Sequence, residues 1–216
     1  MNATISADIV SSTTLSEQET IALKDKMQSL FDLLEERFPG FWGRQVKGDY
    51  IECWVPEAQI ALRIALIIKS YIKSFDIEET KEKRSFQIYG VRVSIGIGTM
   101  RIVNREAGIM DGEAIYSSGR NLEKLASLNK GTMSIDLPDV NLRPALSSIV
   151  LLLDALVNSA TRRQSEVLFY KLLSTSENEI AEKLHINQSA VNQRSSAAKW
   201  YCIEDALQYF EHLNFG

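Results

Sequence analysis

The residues with most chemistry to offer stand near the start of the chain. In "ADIVSST", Asp8 lies among the apolar residues of a strand-like run, and Ser11, Ser12 and Thr13 follow it. A carboxylate beside a core costs several kcal/mol unless a cation or several donors meet it. A second acid, Asp49, sits at the centre of "VKGDYIECWV". If the first strand neighbours that hairpin in a sheet, the two carboxylates converge. They then repel unless a hard cation lies between them, and Mg²⁺ favours one or two carboxylates plus substrate phosphates. The hydroxyls and N–H groups of Ser11, Ser12 and Thr13 are a candidate phosphate cradle. Plainer readings stand beside this one. Asp8 could cap a local turn through Ser11 or Thr13, and Asp49 could simply be a hairpin residue, a place where Asp is common.

These residues need a scaffold, and the spacing of apolar residues describes one. Ser16 and Glu19 form a capping box, after which Leu23, Met27, Leu30, Phe31, Leu34 and Phe38 recur at helical spacing until Pro39-Gly40. Two short strands flank Gly48-Asp49, a two-residue hairpin signal. Pro56 opens a helix carried by the apolar stripe from Ala58 to Phe75, and residues 76–84 read as a charged surface connector. From Phe86 the pattern alternates as a strand. Val91, Val93, Ile95 and Ile97 face one way; Arg92, Ser94, Gly96 and Gly98 face the other, where small residues suit close packing more than ligand contact. Residues 112–128 read as a helix with Leu122, Leu125 and Leu128 inward, and "GTMSID" as a last strand. The order predicts an α+β fold, a ferredoxin-like antiparallel sheet with helices on one side, over residues 1–137. Pro138–Pro144 reads as a linker, and 145–216 as four or five helices without strands.

Composition excludes several classes. The chain has 216 residues, 45% hydrophobic and 24% charged, with net charge −4, so no overall basic field draws nucleic acid. Two cysteines, Cys53 and Cys202, lie far apart, which suits free thiols in the cytoplasm, and two histidines make a His/Cys zinc cluster improbable. No charged-then-apolar leader precedes the first strand, and no apolar run reaches the roughly 18 residues that argue for a membrane span.

The motifs "ADIVSST", "VKGDYIECWV", "VRVSIGIGT" and "GEAIYSSGRNLEKLA" resemble the successive signatures of class III nucleotidyl cyclase homology domains, over about residues 1–136. The resemblance implies metal ligands at Asp8, Asp49 and the Ile9 carbonyl, with Mg²⁺ or Mn²⁺ as the ion, and a transition-state arginine at Arg120. The family pairs its domains so that sites form between subunits, which implies a homodimer. Three positions depart from it. The family's asparagine is Tyr116, its purine-selecting lysine is Gln45, and its other base-selecting residue is Ile109, with Asp111 nearby. Each lost transition-state donor costs on the order of 100- to 1000-fold in rate. Binding of a nucleotide or other phosphorylated ligand without efficient cyclisation is therefore the expectation, and an active cyclase with an altered base pocket the alternative.

In the second half, "ENEIAEKLHINQSAVNQRSSAAKW" resembles helix-turn-helix domains of the sigma-region-four and LuxR type. Ala181 lets two helices cross closely, while Ile180, Leu184, Ile186 and Val191 supply their shared core. The second helix would present Gln188, Ser189, Asn192, Gln193 and Arg194 to DNA. Charge tempers this, since residues 160–216 hold six Lys/Arg against seven Asp/Glu. Use of the motif for packing alone is the competing reading. The whole arrangement is similar to the SatD-like family of bacterial proteins. The expected function is a transcriptional regulator with a ligand-binding front domain, with a non-catalytic interaction module as a further alternative.

Overall fold

The chain is seen in a computed structural model that describes residues 1–127 and 131–215, with Lys47 described by its main chain alone. Its centre is strand β1 (Asn2–Ile9), whose alternate residues Ala3, Ile5, Ala7 and Ile9 are buried in the apolar core. β1 pairs antiparallel with β3 (Tyr50–Val55) on one side and β4 (Val91–Gly98) on the other. β2 (Trp42–Lys47) closes one edge as the hairpin partner of β3, and β7 (Met133–Asp136) closes the other, giving the order β2-β3-β1-β4-β7. β7 runs parallel to β4, so the sheet is mixed rather than the antiparallel one expected. Helix α4 (Glu113–Ser127) spans the crossover between these two strands, and a crossover of that kind permits parallel pairing. A second, two-stranded sheet comes from the hairpin β5 (Met100–Asn104) and β6 (Ile109–Gly112).

Helices cover both faces of the main sheet, not one. On the apolar face lies α1 (Glu17–Arg37), opened by the Ser16–Glu19 capping box and burying Leu23, Met27, Leu30, Phe31 and Leu34. Beside it lies α2 (Ala61–Lys73), which follows a 3-10 turn at Ala58–Ile60 and is enclosed almost throughout. α4 (Glu113–Ser127) lies on the opposite face, where Thr4 and Ser6 share the Ser118 hydroxyl at 3.0 and 2.8 Å. A Cβ placed on Gly96 would stand 2.2 Å from the Ala114 carbonyl oxygen, so the small face of β4 exists to admit this helix. Along α4 the inward residues are Ala114, Ser118 and Leu122; Leu125 is half-buried and Leu128 lies outside the described residues.

The strand expected from Phe86 begins later. Arg84–Tyr89 forms a short helix, α3, that buries Phe86, and Gly90 at φ 65° turns the chain into β4. Alternation persists only from Val91, because a positive φ breaks the extended run.

The second half is helical: α5 (Arg143–Ser159), α6 (Arg162–Leu172), α7 (Glu177–Lys183), α8 (Gln188–Ala197) and α9 (Trp200–Glu211). The apolar interior runs without a break from the sheet through α2 into α5, α6 and α9. A polar network crosses the same junction. The Lys69 ammonium on α2, fully buried, donates to the carbonyls of Tyr89 and Val91 and to the Thr132 hydroxyl, and lies 3.3 Å from Asp154 of α5. Asp154 in turn accepts from Thr132 and Asn158. Among the described residues, no helix is long and apolar enough to cross a membrane.

Candidate functional site

The sheet register decides whether the two early acids meet. Asp8 is paired with Tyr50, the residue after Asp49, and the Ile9 N–H donates to the Asp49 carbonyl at 3.3 Å. The tip of the β2–β3 hairpin therefore lies against the end of β1, bringing Asp8, Asp49 and the Ile9 main chain into one neighbourhood. Gly48 at φ 59° makes the tight turn, and its conformational freedom lets Asp49 arrive there.

The cation that meets Asp8 is Arg92, a partner not evident from the sequence. On the other flank Asp8 is in register with Arg92, whose guanidinium donates to Asp8 Oδ2 at 2.8 Å. The signal was present, since Arg92 occupies the same polar face of β4; only the pairing of β4 with β1 was missing. The arginine satisfies half of the carboxylate. Asp8 Oδ1 is buried and has no hydrogen-bond partner among the described residues. Burial raises the Asp8 pKa, Arg92 opposes the rise, and the negative charge of Asp49 adds to it.

An orphaned buried carboxylate oxygen, a second carboxylate acting on the first, and an adjacent main-chain carbonyl suit a hard divalent cation. Asp8, Asp49 and the Ile9 carbonyl would hold it, and it would supply charge neutralisation for bound phosphate. Among the described residues no group of three or more His, Cys, Asp or Glu side chains gathers in metal-holding geometry.

The loop after β1 is arranged differently from a free hydroxyl cradle. Ser11 takes a left-handed conformation at φ 54° and starts a 3-10 turn over Ser12–Thr14. The Ser12 hydroxyl donates to Asp49 Oδ2, so it orients that acid instead of standing open. Thr13 is exposed. A cavity of about 340 Å³ opens beside this turn, floored by Ile9, Leu15 and Leu23 and edged by Ser12, Asp49 and Lys24. A second, of about 260 Å³, lies on the Arg92 side and includes Ser11 and Thr132. A groove of about 650 Å³ around Arg63 and Glu211 shares no residue with either.

Arg120, the expected transition-state arginine, is exposed and donates to the Tyr116 carbonyl on its own helix. Gln45 donates to the Gly48 carbonyl and thereby holds its own turn. The Tyr116 hydroxyl donates to Asp111, which also pairs with Arg101 and is held below the usual carboxylate range, chiefly by the tyrosine. Ile109 is 49% exposed.

In the second half, α7 and α8 are joined by the turn Leu184–Asn187, with His185 at φ 52°. Ile180 and Val191 form a small core with Val167 of α6, flanked by Ala181, Leu184 and Ile186. Gln188, Ser189, Asn192 and Gln193 are exposed on α8. Arg194 does not join them. It is half-buried and lies 3.9 Å from Glu166 of α6, a flank position that its place in the sequence did not reveal.

No family model and no curated protein matches this chain. Among solved structures it is similar to two of a bacterial light-regulated adenylyl cyclase, at 17% and 16% identity, each with a TM-score of 0.44 over 62% of this chain. The chain spans 42% of the length of those proteins. A similarity of this size assigns neither activity nor site residues.

Proposed function

We propose that the front of this protein binds a divalent cation together with a phosphorylated ligand, a nucleotide in the first instance, and does not cyclise it efficiently. The reading rests on one observation: Asp8 and Asp49 are folded to the same end of the sheet with a buried Asp8 oxygen left without a partner. The expectation of inefficient cyclisation draws on the partners of three other side chains. Arg120 faces solvent, Gln45 is engaged with Gly48, and Tyr116 is engaged with Asp111. Among the described residues of one chain, Tyr116 is turned to Asp111 and Arg120 to its own helix, which leaves Asp8, Asp49 and Arg92 to bind and orient.

Calorimetry with Mn²⁺ or Mg²⁺, alone and with a nucleotide panel, tests this. Metal-dependent binding that Asp8→Ala and Asp49→Ala each abolish is the expected outcome, without product. Turnover that requires both aspartates would instead establish an active cyclase or transferase. Absence of binding by the wild type would leave the fold as an interaction module.

A second element of the reading is DNA binding by α8, making the whole a bacterial regulator of the SatD-like kind. It is favoured by the exposed row Gln188, Ser189, Asn192 and Gln193 on a helix capped by Asn187, behind a tight turn. Arg194, drawn toward Glu166, contributes less than its sequence position suggests. Fluorescence anisotropy with a selected duplex is expected to show salt-dependent binding weakened by Gln193→Ala. Equal binding by that variant removes α8 as the reading helix.

A further inference from the structure

We propose that Arg92 is a resident counter-ion of the Asp8–Asp49 pair: a divalent cation must loosen it, and the phosphate of the ligand then takes it up. This deepens the metal–phosphate reading of that end of the sheet and rests on it. The pairing of β4 with β1 fixes where Arg92 starts. It lies opposite Asp8, between the buried Val91 and Val93, and its Nη1 donates to Asp8 Oδ2 at 2.8 Å. The two side chains are 27% and 24% exposed, so neither is locked in the core. Among the described residues that bond is the one hydrogen bond the guanidinium makes, and its fork has further N–H donors to offer.

Charge orders the events. Asp8 and Asp49 together face the single guanidinium of Arg92, which leaves one negative charge in excess. A divalent cation on the partnerless Asp8 Oδ1, Asp49 and the Ile9 carbonyl reverses that balance and leaves one positive charge in excess. It also puts two cations on the two oxygens of one carboxylate, and like charges that close disfavour each other. The metal therefore binds less tightly than the two acids alone would allow. Once it has bound, Arg92 is held less tightly in turn. An anion relieves both.

The cavity beside Arg92 indicates where that anion goes. It holds about 260 Å³, and Ser11, Ser85 and Thr132 stand with Arg92 in its wall. Among the described residues no acid lines it, whereas Asp49 edges the cavity of about 340 Å³ across the turn, over an apolar floor. A phosphate thus meets a cation and hydroxyls on the Arg92 side and a carboxylate on the other. Arginine suits the exchange, because its planar fork engages carboxylate and phosphate through the same paired N–H geometry. The plainer role for Arg92 is a strut holding β1 to β4, and the two roles differ in sign. A lost strut weakens everything at the site; a lost counter-ion strengthens the metal.

Calorimetry on the full chain, with Mn²⁺ alone and with the equimolar complex of Mn²⁺ and inorganic tripolyphosphate, reads both halves. Arg92→Met is expected to bind bare Mn²⁺ about tenfold tighter than the wild type, the size of one charged hydrogen bond. It is expected to bind the complex about as well as the wild type, since the arginine that meets the phosphate is lost together with the one that opposed the metal. The advantage of the complex over the bare ion therefore shrinks about tenfold. Nitrogen NMR of the wild-type arginine side chains follows the same exchange without a substitution, and decides alone if Arg92→Met does not fold. The Arg92 guanidinium, slowed by Asp8, should rotate more freely when Mg²⁺ saturates the site and slow again on tripolyphosphate. Bare Mn²⁺ bound equally or more weakly by Arg92→Met overturns the inference, as does an undiminished advantage of the complex or a guanidinium as restricted with Mg²⁺ as without it. If wild type and Arg92→Met both ignore Mn²⁺, the metal reading itself fails and this inference falls with it.

Discussion

At Asp8 the outcome of three competing influences is visible in one carboxylate. Burial raises its pKa most, Arg92 pulls down, and Asp49 pushes up again. Asp49→Asn is therefore expected to lower the Asp8 titration midpoint and Arg92→Met to raise it, both read by carbon-detected NMR of the carboxyl. Without a cation, a carboxyl raised in the folded state contributes stability at low pH that is lost as pH rises through its folded pKa. Glu19 shows the opposite sign. Lys83, at 2.8 Å, holds it down to about 2, helped by the Ser16 and Glu78 N–H groups. Its contribution is present above the ordinary value of 4.5 and is lost as pH falls toward 2. Denaturation midpoints of Glu19→Gln should show a flatter slope between those values than the wild type. Solvent screening keeps this effect small.

Among the elements, the contact of α4 with the sheet depends on what β4 lacks. Gly96 and the hydroxyls of Thr4, Ser6 and Ser118 let helix backbone approach strand backbone closely. Gly96→Ala must displace the Ala114 carbonyl or the strand, at a cost of about 1–3 kcal/mol, measurable by urea denaturation. Gly48→Asn is a fitting control, because nothing lies within 4 Å of a Cβ there and Asn tolerates the left-handed turn. Alternation in β4 was legible, and so was the suitability of its small face for close packing. The helix α3 was not, since Phe86 and Ile88 continue the apolar alternation across a turn that Gly90 decides. The α7–α8 core was likewise legible except for Val167, which α6 contributes from outside the motif.

Across the whole molecule, the Lys69–Asp154 network ties the sheet to α5 inside a continuous apolar interior. Removing one partner leaves a buried charge alone, so Asp154→Ala is expected to cost about 3–5 kcal/mol. The double change Lys69→Met with Asp154→Leu should recover most of that loss, a non-additivity readable in a denaturation double-mutant cycle. Burial also pushes Lys73 down to about 7, aided by Lys69, and Lys69 itself to about 8 against the pull of Asp154. Unfolding restores both to the ordinary 10.5, so the unfolded chain binds more protons over that interval. Stability should therefore rise with pH from about 7 toward 10.5, and Lys73→Met should remove part of the rise; midpoints across that range provide the check.

The sequence alone determined whatever is written in local periodicity and short-range chemistry: the capped α1, the Gly48-Asp49 turn, the alternation of β4, the helical texture after Pro144. It also singled out Asp8 and Asp49 as the acids to watch. Their meeting was a matter of strand order, as were the arrival of Arg92 at Asp8, the parallel β7 and the placing of helices on both faces. Strand neighbours and register are set by packing between segments tens of residues apart. A side chain's partner across a sheet leaves no mark in the residues beside it along the chain, so only the assembled sheet decides it.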